Sequence, residues 1–160
     1  WGTEQLNRSL FLLLVAQFQT YCRDLHDEAV AVHVAHTAPA QRLLLRTLML
    51  QGRILDIGNP RRSALGTDFS RVGIPLIPNL TALGPGTVGD LDALDHLVDF
   101  RNAISHGNES QVQALIAGGR IRATKSSYLE HRRAVDRLAG TIDSTVASGL
   151  AAVLGIGVPW

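Results

Sequence analysis

The strongest constraint on the fold is the helical spacing of apolar side chains in the first part of the chain. Leucine and aromatic residues recur there at steps of three and four, the repeat of one helix face; they are Leu6, Leu10, Leu13, Leu14, Phe18, Tyr21 and Leu25. Clusters of β-branched and aromatic residues, which mark strands, are scarce, and aromatic residues make up only 5% of the chain. We therefore expect an all-α protein that opens with a helix over about residues 3–36.

The same spacing predicts the later helices. We expect a second helix over residues 40–51, a third over about 90–105, a short one over 111–117 and a last one from Ser126 or Ser127. Asp90 suits the N-cap of the third helix, and Gly107 with Asn108 its left-handed end. The apolar stripe of the last helix consists of Val135, Leu138, Ile142, Val146 and Val153, and Gly155 closes it. These elements predict a bundle of four or five helices.

A segment rich in proline and glycine, residues 56–89, interrupts this pattern. Four of the six prolines fall there together with six glycines. This composition predicts a long, irregular loop excursion with a short helical turn near Ser70. Irregular segments of this length are commonly functional lids or linkers. Arg61, Arg62 and Arg71 make the segment locally basic.

Length and composition limit the classes of protein that remain. The 160 residues are the size of one domain, and with 46% apolar and 18% charged residues we expect a single globular domain over 1–160. The net charge of +1 gives no overall attraction to nucleic acid or membrane. The apolar run at residues 10–16 is far shorter than the roughly 20 residues that span a bilayer. Cys22 is the only cysteine, which excludes an internal disulfide and fits a cytoplasmic protein with Cys22 in its core. Because the chain begins at Trp1, we expect a part of something longer.

Three polar residues at the end of the third helix form the candidate site. Arg101 falls near the middle of an apolar arc, where a charge is costly unless it is paired or faces a partner. Asn102 and His106 are four residues apart, so they share one edge of the helix. Arg101 and His106 lie about 140° apart on an ideal helix. They converge only if the helix frays at Gly107, if the arginine side chain wraps around, or if a second subunit completes the site.

These residue types suit the cleavage of a phosphodiester. An arginine fork binds phosphate and neutralises the charge that builds on it. A histidine exchanges protons with a ribose oxygen near neutral pH, and an asparagine orients the imidazole or holds a phosphate oxygen. None of these steps needs a metal or a cofactor. The competing structural interpretation is a buried pair of Arg101 with a carboxylate, and a His106 that stabilises the helix dipole.

The run Arg101-Asn102-Ala103-Ile104-Ser105-His106-Gly107 resembles the R-x4-6-H signature of the HEPN superfamily, in the form with a polar residue after the arginine. The leucine-rich first helix, the motif helix followed by Gly-Asn, and the long last helix resemble the RiboL-PSP-HEPN subgroup. The resemblance implies a helical domain that dimerises with both motifs at the interface, in a family with many metal-independent endoribonucleases that act as toxins or defence effectors. It implies catalytic roles for Arg101 and His106 and a supporting role for Asn102. The segment 56–89 is not part of the family pattern.

Other polar residues have weaker functional interpretations. A basic run adjoins the motif, and we expect Arg120, Arg122 and Lys125, together with Arg61 and Arg62, to contact RNA phosphates. His33 and His36 have the spacing of a metal pair but no third ligand, so a solvated helix face is the preferred interpretation. His26, His96 and His131 are expected at the surface.

The sequence supports two functions from different classes. The first is a homodimeric, metal-independent endoribonuclease with an RNA substrate, no membrane partner and an antitoxin protein as a further candidate partner. The second is a non-catalytic helical module that uses the same face to bind a protein or a nucleotide.

Overall fold

The computed structural model describes residues 2–160, with side chains from residue 3 onward. This part of the chain contains α-helices and a single turn of 3₁₀ helix at Pro39–Gln41, and no strand. The helices are α1 (Gly2–Ala35), α2 (Arg42–Leu50), α3 (Ile54–Ile57), α4 (Arg62–Ser70), α5 (Leu76–Ala82), α6 (Pro85–Ser105), α7 (Glu109–Ala117) and α8 (Lys125–Leu154). The all-α prediction is confirmed. The predicted count of four or five helices is wrong, because the described residues form eight.

Three long helices, α1, α6 and α8, pack against one another and enclose the core. The Phe11 ring lies where all three meet. It makes edge-to-face contacts with Phe100 of α6 and Tyr128 of α8, with ring centroids 5.2 and 5.7 Å apart. The short helices α3, α4 and α5 cover one side of this frame, and α7 follows α6.

The buried face of α1 differs in part from the stripe that its leucines predict. Leu14, Phe18 and Leu25 are buried, but Leu6 is 63% and Leu13 is 52% exposed. The buried face is centred on Phe11 and on the residues one and two turns further along α1. Leu6 and Leu13 therefore fall on the opposite side of the helix. Val153 of α8 is exposed for a different reason: it lies near the end of its helix, beyond most of the core.

The segment 56–89, predicted to be irregular, is mostly helical. It contains α4, α5 and the start of α6. Its prolines stand at helix starts, where the missing N–H costs nothing: Pro75 is the N-cap of α5, Pro78 lies in the first turn of α5, and Pro85 is the first residue of α6. Gly73 and Gly84 have positive φ between helices. The proline and glycine residues therefore mark helix boundaries and not a long loop.

The starts of α6 and α8 correct two details. α6 begins at Pro85 and not near Asp90, whose carboxylate pairs with Arg137 of α8. α8 begins at Lys125, because the hydroxyl of Thr124 accepts from the backbone N–H of Ser127 and caps the helix. The left-handed end at Gly107 is confirmed, with φ of 63°, and Gly155 closes α8 as expected, with φ of 64°.

Three histidines expected at the surface are buried: His26, His33 and His131. One nitrogen of each ring bonds a backbone carbonyl inside the protein. His26 and His33 bond the carbonyls of Asp68 and Val72, at and just after the end of α4, where helical partners run out. These contacts dock α4 against α1. His96 is half-buried. No described helix is long and apolar enough to cross a membrane.

Burial of His26 makes the protein sensitive to acid. Burial lowers the pKa of His26, because the charged ring loses its hydration. The folded state then takes up a proton less readily than the unfolded state, so stability is highest above about pH 6.5 and falls as the pH drops below that value. We expect His26→Gln, which keeps a donor to the Asp68 carbonyl, to lose less melting temperature between pH 7.5 and pH 5.5 than the wild type. His36→Gln, at an exposed site, is the control, and equal pH profiles for all three proteins would contradict the assignment.

Candidate functional site

The last turn of α6 carries the motif, and the helix ends directly after it. Ser105 is the last helical residue, and His106 takes the C-cap position with φ of −94° and ψ of 4°. Gly107 turns the chain with its positive φ, and the side chain of Asn108 caps α7 by accepting from the backbone N–H of Gln111. The sequence Gly-Asn thus ends one helix and begins the next, which leaves His106 at an exposed corner.

The side chains of Arg101, Asn102 and Asn59 form a hydrogen-bonded cluster. Nη1 of Arg101 donates to Oδ1 of Asn102 at 3.2 Å, and Nδ2 of Asn59 donates to the same oxygen at 2.8 Å. Asn59 comes from the short connection between α3 and α4. All three residues are half-buried. The two donors fix the orientation of the Asn102 amide, so its oxygen faces the arginine.

Arg101 has no carboxylate within ion-pair distance among residues 2–160. The buried Arg–carboxylate pair, the structural interpretation of Arg101, is therefore not formed within the described part of the chain. The guanidinium of Arg101 is half-buried, and its one side-chain hydrogen bond goes to a neutral amide. Its positive charge is therefore not balanced by this contact, and most of its N–H donors are available to another group. An anion is the partner that this arrangement favours.

The acidic residues of α6 are occupied elsewhere. Asp99 pairs with Arg61 at 2.6 Å, and Asp92 and Asp95 pair with Arg62. Both arginines stand at the start of α4, so these pairs fasten α4 to α6. Arg61 and Arg62 were expected to contact RNA, which remains a prediction; in this structure their charges are balanced by the carboxylates of α6.

The imidazole of His106 makes no side-chain hydrogen bond to a described residue. Only its backbone N–H is engaged, with the carbonyl of Asn102 at 3.0 Å. Since the amide oxygen of Asn102 faces Arg101 and Asn59, Asn102 does not orient this imidazole as the sequence suggested. Its contact is with the arginine.

The remaining predicted residues lie in different places. Arg120, Arg122 and Lys125 are exposed around the start of α8, and within residues 2–160 none of them pairs with a carboxylate. His33 is buried, and His36 is exposed and bonds the carbonyl of Val32 in its own helix, so the two imidazoles are engaged separately. Cys22 is fully buried as expected, and burial raises the pKa of its thiol.

Comparison of the chain with protein-family models, curated proteins and solved structures gives no match. The motif and its position on α6 are therefore what support a resemblance to HEPN proteins.

Sequence reasoning missed Asn59. The residue belongs to the segment predicted to be irregular, and its partner is 43 positions away along the chain. The only local signal is the Asn-Pro pair at positions 59 and 60, which is typical of a turn and does not reveal a contact with α6.

The bond between Asn59 and Asn102 predicts an energetic coupling. A hydrogen bond between half-buried amides contributes about 1 kcal/mol to the free energy of unfolding. Asn59→Ala and Asn102→Ala should therefore be non-additive by about that amount in a double-mutant cycle measured by urea unfolding. Asn59→Ala combined with Ser144→Ala, an exposed residue that bonds its own helix, should be additive. Additivity in both cycles would contradict the cluster.

Proposed function

We propose that this protein is a metal-independent endoribonuclease of the HEPN type, in which Arg101 and His106 are catalytic and Asn102 positions Arg101. One observation carries the proposal. Arg101 is half-buried among apolar residues of α6, is held by Asn102, and has no carboxylate partner among the described residues. An unbalanced charge in this setting is best explained by an anionic ligand, and the phosphate of RNA is the ligand that the HEPN resemblance implies.

The chemistry follows from the two ionisable groups. Arg101 binds the non-bridging oxygens of the scissile phosphate and stabilises the additional charge of the transition state. His106 exchanges a proton with the ribose oxygens as general base or general acid. The 2′-oxygen loses its proton and bonds to phosphorus, and the bond from phosphorus to the 5′-oxygen breaks as that oxygen gains a proton. The product ends are a 2′,3′-cyclic phosphate and a 5′-hydroxyl.

A second copy of the chain explains how Arg101 and His106 act on one phosphate. The positions of Arg101 and His106 lie about 140° apart on an ideal helix, and His106 stands after the end of α6 at an exposed corner. In a dimer through this end of α6, Arg101 of one copy and His106 of the other face the same cleft. Ile57 is 90% exposed two residues from Asn59, and it supplies an apolar surface beside the motif for such a contact.

This assignment places the protein among toxin or defence nucleases of the cytoplasm, with RNA as substrate and an antitoxin protein as a candidate partner. Arg120, Arg122 and Lys125 are the cations available for further RNA phosphates, because they are exposed and carry no ion pair in the described structure.

The second candidate function, a non-catalytic interaction module, was expected to use the face that bears Arg101, but a specific observation favours it at a different surface. The outer face of α2 exposes Leu43, Leu44 and Leu48 by 79%, 63% and 59%. Three neighbouring exposed leucines are typical of a surface that binds another protein. This surface is separate from the motif, so an interaction role and a nuclease role are compatible.

Substitution of the motif residues separates the two functions. We expect His106→Ala to lower RNA cleavage by about 10²–10⁴ and Arg101→Ala to abolish it, because proton transfer and phosphate binding are lost. Each should change the free energy of unfolding by only about 1 kcal/mol or less, since neither side chain is buried or ion-paired in the described residues. Cleavage should persist in EDTA.

Matched controls are available for both residues. His36→Ala removes an exposed histidine at the end of α1, and Arg133→Ala removes an exposed arginine of α8. Both should retain full activity. A wild-type protein that cleaves no RNA, measured beside an intact melting transition, would reject the nuclease and leave the interaction module.

The dimer predicts an effect of Ile57 on the state of association. Ile57→Asp should shift the protein from dimer to monomer in sedimentation at micromolar concentration, because a charge in an apolar contact loses its hydration. Leu83→Asp is the control, since Leu83 is 61% exposed beside the opposite end of α6. A wild type that sediments only as a monomer would contradict the dimer.

A further inference from the structure

A small groove lies at the start of α8, where the chain from α7 joins it. It has a volume of about 270 Å³, and the polar side chains that line it include Arg120, Arg122, Ser126, Glu130 and His131. It belongs to the connection between α7 and α8 and shares no lining residue with the Arg101 cluster.

The groove offers several hydrogen-bond donors. Arg120 and Arg122 are exposed, and neither forms an ion pair with a described residue. The first backbone N–H groups of α8 have no partner within the helix. Thr124 caps only that of Ser127, so the amide of Ser126 remains at the positive end of a helix of 30 residues. Guanidinium groups and free amides at a helix start suit an oxyanion.

His131 supplies an independent observation. The residue is only 8% exposed, and yet it lines the groove. Its Nδ1 lies 2.8 Å from the carbonyl oxygen of Ser127, which can only accept, so Nδ1 carries the hydrogen. Nε2 is then a lone-pair acceptor without a donor among the described residues. Burial lowers the pKa of His131, so the ring is neutral at pH 7.5. The nearby carboxylate of Glu130 favours protonation of the ring, and His96 of α6 opposes it.

The acceptors decide which oxyanion fits. The carboxylate of Glu130 and Nε2 of His131 both present lone pairs, which repel an anion that carries no hydrogen. Sulfate is such an anion. Hydrogen phosphate has the same shape and charge but retains a P–OH group, which can donate to one of these acceptors while its other oxygens accept from the arginines and the amide.

We propose that the groove at the start of α8 is a binding site for a phosphate group that carries a P–OH, with Arg120, Arg122 and the Ser126 amide as donors and Glu130 and His131 as acceptors. Inorganic phosphate supplies such a group near neutral pH, as hydrogen phosphate. A phosphomonoester at the end of an RNA strand has a second pKa of about 6, so at pH 7.5 it is largely a dianion without a P–OH. An internal phosphodiester has no P–OH and fits less well. The site does not depend on cleavage by Arg101 and His106.

The test compares two anions on the full chain by calorimetry at pH 7.5 and constant ionic strength. Sodium phosphate should bind saturably and at least about tenfold more tightly than sodium sulfate, a difference of about 1.4 kcal/mol. Equal affinity for the two anions, or no saturable binding of phosphate, would overturn the proposal.

Variants locate the site. The double variant Arg120→Gln, Arg122→Gln should weaken phosphate binding by about tenfold or more. Arg133→Gln removes the same kind of charge from the exposed face of α8 outside the groove and should leave binding unchanged. Glu130→Gln keeps an acceptor but removes its charge. It should therefore raise the affinity for sulfate and reduce the preference for phosphate over sulfate. Unchanged phosphate binding in the double variant would place the ion elsewhere and refute the site.

Two further ligands distinguish the sources of the phosphate. At pH 7.5 the 3′-phosphate of a dinucleotide is largely a dianion without a P–OH, so this ligand should bind more weakly than inorganic phosphate, and the same dinucleotide with a 3′-hydroxyl should not bind. If inorganic phosphate binds and both dinucleotides fail, the site is one for the free ion. Tighter binding of the 3′-hydroxyl dinucleotide than of either phosphate ligand would contradict the proposal.

Discussion

The packing of Phe11 is the contact on which the arrangement of both candidate sites depends. Its ring lies edge-on to Phe100 of α6 and to Tyr128 and His131 of α8. Phe100 directly precedes Arg101, and His131 lines the groove at the start of α8. One fully buried side chain of α1 therefore sets the position of the motif helix and of the groove histidine. Aromatic rings suit this role because edge-to-face contacts fix direction as well as distance.

The charges of α6 explain why Arg101 is available for a ligand. Asp92, Asp95 and Asp99 recur at steps of three and four, so they share one side of the helix, and the two arginines at the start of α4 pair with them. Arg101 leaves the helix well away from that side. These carboxylates therefore do not reach Arg101, and its side-chain hydrogen bond goes to the neutral amide of Asn102. The segment that the sequence analysis treated as a loop supplies Asn59, which bonds the same amide oxygen.

The sequence predicted the long helices well and the tertiary contacts poorly. The periodic apolar residues gave α1 within about a residue at each end, and the glycines gave the ends of α6 and α8, because both signals are local. The prolines in 56–89 led to the wrong prediction of a loop, because a proline at a helix start cannot be told from a proline in a loop without tertiary contacts. His26, His33 and Asn59 were missed for a related reason: their partners lie about 40 positions away. Of the site itself, only the motif was local enough to be found.

The position of His106 favours a second copy for the proposed chemistry. Side chains on one helix can converge only when they leave it on the same side, and residues five apart do not. Gly107 ends α6 directly after His106, so the imidazole is exposed and is bonded to no described side chain, whereas Arg101 is held inward by Asn102 and Asn59. Within one chain, a held Arg101 and a His106 imidazole without a side-chain partner do not define the geometry of the reaction. In the dimer that we propose, two copies that meet at this end of α6 supply it, because each arginine then faces the histidine of the other copy.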